Sequence, residues 1–377
     1  MPTELKRAAE DGDDSTPTRL RRKIVVPEKP VYLVVEHKAE PAYSILSVGT
    51  MAPKIPLHLS QRGMSFTAME SPQGSWIVGV GGDKQIHTTI FDVTASKEWQ
   101  GPWLHTNKME PILIPHRGQL YVLSSRPSVK RGAMGLDYLP WFEQINFEDG
   151  RPNQAEVCLE LEPPPIFPCR ITPPEYRNPP AIRVASYAMV GSHILLSVQL
   201  DNVTSPDKVA RKYRKYMGTC GYDVEKKVWE MVHEMNLPFL GQAVPLGDQL
   251  FLARSKERDG AYAVYCMHVG QSTSGTSELS IIEVPLVVPK SRPILGELLF
   301  PLGRGRFSSV HFRSVDTEPE SKLGKPSVVH GTYSIVKENF DDAIIMKQQR
   351  QVYKVADRSC PLAHPFPVVA AFTMGDA

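Results

Sequence analysis

Gly118-Gln-Leu-Tyr-Val-Leu-Ser124, Gly191-Ser-His-Ile-Leu-Leu-Ser197 and Gly247-Asp-Gln-Leu-Phe-Leu-Ala-Arg-Ser255 are three copies of one pattern. A glycine opens each, and a short run rich in β-branched, aromatic or leucine residues follows. The run is too brief for a helix and reads as a strand entered from a turn. Gly74-Ser-Trp-Ile-Val-Gly79 is a fourth copy and Gly305-Arg-Phe-Ser-Ser-Val-His-Phe312 a weaker fifth. The leading glycines stand 44, 73, 56 and 58 residues apart. One such unit cannot bury its apolar faces alone, so recurrence at tens of residues indicates a repeat architecture.

Composition agrees with an all-β chain. The apolar fraction is 41%, enough for a substantial core, and 34 prolines against 26 glycines suit short strands and tight turns better than long helices. Forty-three basic against 41 acidic residues leave a charge of +2, so no whole-protein field gathers nucleic acid or an anionic membrane. Nucleic acid is therefore not an expected partner. The five cysteines (Cys158, Cys169, Cys220, Cys266 and Cys360) are odd in number and widely spaced. They form neither a disulfide framework nor a zinc pattern, which fits a reducing compartment. The amino terminus is too polar for a signal peptide, and no apolar run approaches the roughly 18–20 residues of a membrane span. An intracellular protein, cytoplasmic or nuclear, is expected, with no membrane contact. Asn202-Val-Thr204 is a glycosylation sequon that would then stay idle.

Residues 1–28 mix charges of both signs without apolar periodicity and read as a polar, disordered tail. Arg19-Leu-Arg-Arg-Lys23 within it has the form of a nuclear-import signal, but a short basic run is more often solvated tail. Order begins at Val31-Tyr-Leu-Val-Val35, and residues 29–377 form the propeller domain. The stretch from Leu161-Glu-Pro-Pro-Pro165 to Asn178-Pro-Pro180 reads as an extended polyproline-like connection between units. Two units carry a fuller pattern. One is Gly79-Val-Gly-Gly82, Ile90-Phe-Asp92 and Trp99; the other is Gly218-Thr-Cys-Gly221, Tyr222-Asp223 and Trp229. Glycines permit close strand approach, the Asp bonds turn amides, and the Trp offers an apolar face to the next unit. Trp99 and Trp229 are therefore expected to be largely buried between units. The pattern is that of kelch blades, and the mean glycine spacing of about 58 lies near the ~50 residues of such a blade. The fold class is all-β, a kelch-like β-propeller of about six blades.

Ile182-Arg-Val-Ala-Ser-Tyr-Ala188, Gly218-Thr-Cys-Gly-Tyr-Asp223, Trp229, Leu237-Pro-Phe-Leu-Gly241 and Phe300-Pro-Leu-Gly-Arg-Gly-Arg-Phe307 recur in order. With Tyr32-Leu-Val-Val-Glu-His37 and Glu40-Pro-Ala-Tyr43 they resemble a grass-expanded plant family of kelch-like propeller proteins whose domain has no assigned function. The resemblance spans roughly residues 31 to 335 and implies a propeller; it carries over no catalytic or binding residue. This chain departs from the family in a long insert between Leu200 and Gly218. The 28 polar residues ahead of the propeller are also too few for an F-box, which argues against a complete ubiquitin-ligase adaptor.

The sequence carries no recognised catalytic pattern. Gly79-Val-Gly-Gly82 is followed by a strand pattern, so it is not a dinucleotide fingerprint. No phosphate-binding loop, nucleophile elbow, His-Glu-x-x-His motif or sialidase acidic box occurs. Tyr187, Cys220, Tyr222 and His311 are the residue types of a copper-oxidase centre, but nothing in their spacing favours convergence, and core packing accounts for them. No catalytic, cofactor-binding or metal-binding residue is assigned, and no cofactor is expected. The one charged element above background is the insert segment with Lys208, Arg211, Lys212, Tyr213, Arg214, Lys215 and Tyr216. It reads either as a solvated loop or as a partner-binding loop, and loops on a rigid scaffold are where recognition concentrates.

The expected function is a non-catalytic interaction module for a protein partner. The alternative is a propeller enzyme, a hydrolase or metal-dependent oxidase, with its site in the central channel. Closure of such a ring requires the chain ends to meet, so Val31–Val35 and Phe366–Phe372 are expected to lie together.

Overall fold

All five glycine-led segments are second strands of antiparallel units, and each is entered from a two-residue turn. The computed structural model describes residues 29–48, 55–82, 86–108, 110–126, 129–132, 135–138, 140–152, 155–156, 158–165, 182–200, 218–272, 275–287, 294, 296, 298–313, 327–337, 343–354 and 367–374. The polar tail lies outside them, as do the basic insert 201–217 and most of the proline-rich stretch.

Six units follow one another among the described residues. The first is β1 (Val31–Glu36), β2 (Tyr43–Val48) and β3 (Ile55–Leu57), completed by β27 (Val368–Thr373) from the far end of the chain. The second is β4 (Met64–Ser71), β5 (Gly74–Gly81), β6 (His87–Asp92) and β7 (Lys97–Trp103). The third is β8 (Ile112–His116), β9 (Gln119–Leu123), β12 (Phe142–Asn146) and β13 (Leu159–Leu161). A separate hairpin, β10 (Val129–Gly132) and β11 (Gly135–Tyr138), is inserted before β12. The fourth is β14 (Ile182–Val190), β15 (His193–Leu200), β16 (Thr219–Asp223) and β17 (Val228–His233). The fifth is β18 (Phe239–Gly247), β19 (Leu250–Ser255), β20 (Tyr262–Gln271) and β21 (Ser277–Val284). In the sixth, β22 (Leu286–Val287) lies parallel to the outer strand β26 (Ala343–Lys354), beyond β23 (Leu298–Gly303), β24 (Arg306–Arg313) and β25 (Ser327–Lys337).

Alternation along each second strand explains how the units pack. Successive strand residues point to opposite sheet faces. In β5, Trp76, Val78 and Val80 face the third unit while Ile77 faces the first. In β9, Leu120 and Val122 face the second unit, and Tyr121 and Leu123 the fourth. In β19, Phe251 and Ala253 face the fourth unit, and Leu250 and Leu252 the sixth. Six apolar clusters result, one between each successive pair of units. The sixth joins Phe300, Val310, Phe312 and Val328 of the last unit to Val31, Leu33, Val35 and Val368 of the first. Six sheets in an open stack would have five such interfaces, so the sixth makes the arrangement a ring. The fold is a β-propeller.

Hydrogen bonds close the ring at the chain ends. β1 and β27 are antiparallel, with Val31 opposite Thr373, Leu33 opposite Ala371 and Val34 opposite Ala370. Glu36 N donates to Pro367 O at 2.7 Å beyond them. Strand β1 is thus the second strand of its unit, but its first strand comes from the other end of the chain. No turn joins the two, which is why six units carry only five glycine-led hairpins. The turn glycines themselves follow from twist: Arg117 and Gly118 adopt φ of 46° and 75°. Two positive φ values in succession are what a two-residue hairpin of right-handed strands needs. A Cβ on Gly118 would also sit 2.9 Å from Glu148 Cγ.

The inner strands neighbour one another in the order β27, β4, β8, β14, β18, β23 and back to β27; across the β8–β14 step, Val184 N donates to Ser125 O at 2.8 Å. Between the fourth and fifth units β14 and β18 also pair directly, parallel, at Ser186–Gly241 and Tyr187–Gln242, and Ser186 Oγ donates to Phe239 O.

Removing residues 360–377 deletes β27, leaving one edge of β1 and the apolar faces of two units uncovered. The truncated chain is expected to aggregate or lose its cooperative thermal transition, measured by calorimetry and light scattering. A soluble product melting like the full chain would contradict closure by β27.

Candidate interaction face

The chain path makes the two faces of the ring unlike. One face carries the two-residue turns Pro72-Gln73, Arg117-Gly118, Gly191-Ser192, Asp248-Gln249 and Arg304-Gly305, together with the connections from third to fourth strands, such as 147–158 between β12 and β13. The other carries the links between units and the connections from second to third strands, which run to five residues or more in every unit. The β10–β11 hairpin rises from this link face, and so do both ends of the basic insert, at Leu200 and Gly218. Lys208, Arg211, Lys212, Tyr213, Arg214, Lys215 and Tyr216 themselves lie outside the described residues.

Exposed apolar side chains follow the same division. Leu59, Met235 and Leu240 are on links or on the link-face end of an inner strand. Trp103, Ile282 and Val352 are on the link-face thirds of outer strands. Among the described residues, Val228, Met231 and Leu159 are the exposed large apolar residues that lie elsewhere, on outer strands. Met235 is 67% exposed and Trp103 43%.

The links are held by buried polar side chains. In the fourth unit Ser197 Oγ accepts from Leu237 N at 2.9 Å and Thr219 Oγ1 donates to Met235 O at 2.8 Å. Asn236 accepts from Gly218 N and donates to Val198 O, so the root of the insert is fixed on one side by the link. Between the second and third units the fastening is ionic. Lys108 and Glu143, both fully buried, form a salt bridge, and Lys108 Nζ also donates to Pro140 O at 2.7 Å and Thr106 Oγ1 at 3.1 Å. The second Glu143 oxygen accepts from His105 N at 2.9 Å and is 2.8 Å from His105 Nδ1. Burial pulls the Lys108 ammonium below its usual pKa, and the Glu143 carboxylate opposes that shift. Residues 105, 108 and 143 carry no spacing signal, because they meet only when a link folds back on the third unit.

The inner strands line the channel, and their residues are poor in acid–base groups. Across β4, β8, β14, β18, β23 and β27 the ionisable side chains are Glu70, His116, Arg183 and Tyr187. Glu70 pairs with Lys29 at 3.2 Å. Arg183 meets the Gln199 side-chain oxygen at 2.8 and 2.7 Å when that amide is turned to face it. Burial lowers the His116 pKa and lifts the Tyr187 hydroxyl to about 12, so both stay neutral near pH 7. Among the described residues no group of three or more His, Cys, Asp and Glu side chains is placed to hold a metal ion.

Of Tyr187, Cys220, Tyr222 and His311, the first three meet at one apolar cluster and His311 stands apart from them. Cys220 and Tyr222 are buried in the cluster between the third and fourth units, Tyr187 packs against it, and His311 is on β24 of the sixth. Cys220 Sγ donates to Leu196 O at 3.7 Å, and burial holds the thiol far above its usual range.

Trp99 and Trp229 require a correction: both are half-buried, because they sit on outer strands, where the gap between neighbouring units opens to solvent. They still join units. Arg151 of the third unit stacks 4.4 Å from the Trp99 ring, and Trp229 Nε1 donates to Glu162 O of the third unit at 2.8 Å. The buried indoles are Trp76 and Trp141. Trp76→Ala is expected to cost about 3–5 kcal/mol, and Trp229→Ala roughly 1–2 kcal/mol, by urea denaturation. Equal costs would contradict this ordering. Lys108→Met leaves a buried carboxylate without its cation and is expected to cost about 3–5 kcal/mol, most of it recovered on adding Glu143→Leu. No recovery in the double variant would mean that packing, not charge, holds the link.

No helix among the described residues is long and apolar enough to cross a membrane. No curated protein matches the chain. The solved structure of YjhT is similar over 81% of this chain and 99% of that one, at 9% identity and a TM-score of 0.39, a likeness too distant to support any argument. The model of the family described as a protein of unknown function (DUF1668) matches residues 28–353, from the start of the first unit into β26. The chain belongs to the DUF1668 family.

Proposed function

We propose that the chain is a non-catalytic, kelch-like interaction module that binds a protein partner through its link face. The observation that carries this reading is the asymmetry of the ring. The connections that hold the β10–β11 hairpin and the roots of the basic insert open on one face, and six of the nine exposed large apolar side chains among the described residues lie toward it. Exposed apolar groups gathered on one face mark interaction sites. The scarcity of acid–base groups along the inner strands supports binding over catalysis in the channel. The insert with Lys208, Arg211, Lys212, Tyr213, Arg214, Lys215 and Tyr216 belongs to the same proposed surface, since its ends open on the link face. Cys158, Cys220 and Cys266 are free thiols, as suits a cytoplasmic or nuclear protein. The resemblance to the grass-expanded plant family supports a plant cell as the setting of the module.

The test compares partners captured from native tissue by three forms of the full chain. Met235→Glu with Leu240→Glu on the link face is expected to lose the partners that the unaltered chain retains. Arg117→Glu with Gln249→Glu on the hairpin face is expected to retain them, with both variants melting within a few degrees of the parent. Loss from the hairpin-face variant alone would assign binding to the opposite face and overturn the reading.

A further inference from the structure

His87, at the start of β6, is 4% exposed, with one ring nitrogen engaged and the other bare. Its Nε2 lies 3.4 Å from Leu59 O, which also accepts from Thr89 Oγ1 at 3.3 Å. A carbonyl oxygen can only accept, so the proton of the neutral ring sits on Nε2 and the lone pair on Nδ1. Nδ1 is buried and has no hydrogen-bond partner among the described residues.

The ring joins two exposed pieces of the link face. Leu59 belongs to the link between the first and second units, and His58 N and Leu59 N both donate to the Glu98 carboxylate, at 2.7 and 3.1 Å. Trp103 stands opposite His87 on β7, edge to face at 5.8 Å. Leu59 and Trp103 belong to none of the six apolar clusters, so this junction can open locally without parting the units.

A second proton on the ring must go to Nδ1. It adds a charge and an N–H group where the described residues offer no acceptor, and burying an unpaired charge is costly. Burial accordingly holds the imidazole below the usual histidine range of 6.5, with the Leu59 carbonyl opposing, and no charged side chain among the described residues adds to the shift. On the elements packed around the ring, Lys97 is at the far end of β7, and His58 and Arg62 of the link are exposed. Burial keeps Tyr43 of the first unit neutral, its hydroxyl pushed up to about 12. Asp83 and Lys84 lie outside the described residues. Glu98 acts in the opposite sense: burial pushes its carboxyl up, so the closed link favours its protonated form. For His87 the closed junction has its full stability above pH 6.5 and loses it as pH falls toward the lowered value.

We propose that His87 is a pH-sensitive latch: a proton on Nδ1 drives the imidazole from its seat and frees residues 58–63 and Trp103, while the ring of six units stays closed. Opening changes the link face at the junction of the first two units, with or without a bound partner.

Hydrogen exchange of the full chain is followed by mass spectrometry from about pH 7.5 to about pH 5, with rates corrected for the intrinsic pH dependence of amides. Segments 57–64 and 101–104 should exchange about tenfold faster or more at the acid end, with a midpoint below pH 6.5, while β1, β9 and β19 keep their protection. His87→Gln keeps a donor for Leu59 O and does not titrate, so it should abolish the change. His87→Phe should do the same, so that misfolding of one variant leaves the test intact. His58→Gln, at an exposed histidine of the same link, should leave the change in place.

Exchange in the two segments that is indifferent to pH overturns the latch. So does acceleration that appears only with loss of circular dichroism from the whole ring, or that persists in either folded His87 variant. Acceleration that Glu98→Gln removes and His87→Gln leaves would assign the titration to the carboxylate and also overturn it.

Discussion

The structure depends on one constraint, that nearly every sheet is apolar on both of its faces. Ile77 and Val78 are adjacent in β5 yet belong to different clusters, and so do Tyr121 and Val122 in β9 and Leu250 and Phe251 in β19. A sheet of this kind needs a neighbour on each side. A linear stack always leaves two faces in water, and the exposed strands invite association with other chains. A ring removes that problem, because the last unit covers the face that the first would expose. The hydrogen bonds between β1 and β27 then join ends of the chain that would otherwise fray.

That same constraint separates structural from variable parts of the chain. The first-to-second-strand turns set the register of each unit, and a slip of one residue would exchange the two apolar faces. They are accordingly two residues long, with left-handed backbone at positions such as Arg117, Gly118, Asp248 and Gln249. The connections on the opposite face are longer than these turns, and they carry the β10–β11 hairpin and the root of the basic insert. Their backbone still needs hydrogen-bond partners where it runs under neighbouring residues. The second unit supplies Glu98 and Thr89, the third Glu143 with Lys108, and the fourth Ser197, Thr219 and Asn236. Fastened in this way, the links present exposed side chains such as Leu59 and Met235.

The second strands were legible because their signal is local. Gly118, Gly191, Gly247 and Gly305 take left-handed turns, and the residues after each alternate between two buried faces. Val31–Val35 and the terminal apolar run were legible as partners because two apolar segments at chain ends must be covered by something. Trp99 and Trp229 were misread in degree. Pattern placed them between units, but it did not say that they stand on the outermost strands, where neighbouring sheets diverge and solvent reaches the indole. The pairing of β14 with β18 and the Lys108–Glu143–His105 cluster had no readable signal, since neither depends on spacing along the chain.

The sequence by itself determined the class of the fold and the position of the repeated strands. Turn chemistry and the two-residue period act over a few residues and need no tertiary context. It also determined the absence of recognised catalytic motifs, which bears on function only by exclusion. The tertiary structure alone decided which units share each apolar cluster, that β27 completes the unit begun by β1, and that the exposed apolar side chains gather on the link face. These depend on how residues far apart in the chain come to lie side by side. Leu59 and Trp103 are 44 residues apart in the sequence, and they become one surface because both close over the same buried imidazole of His87.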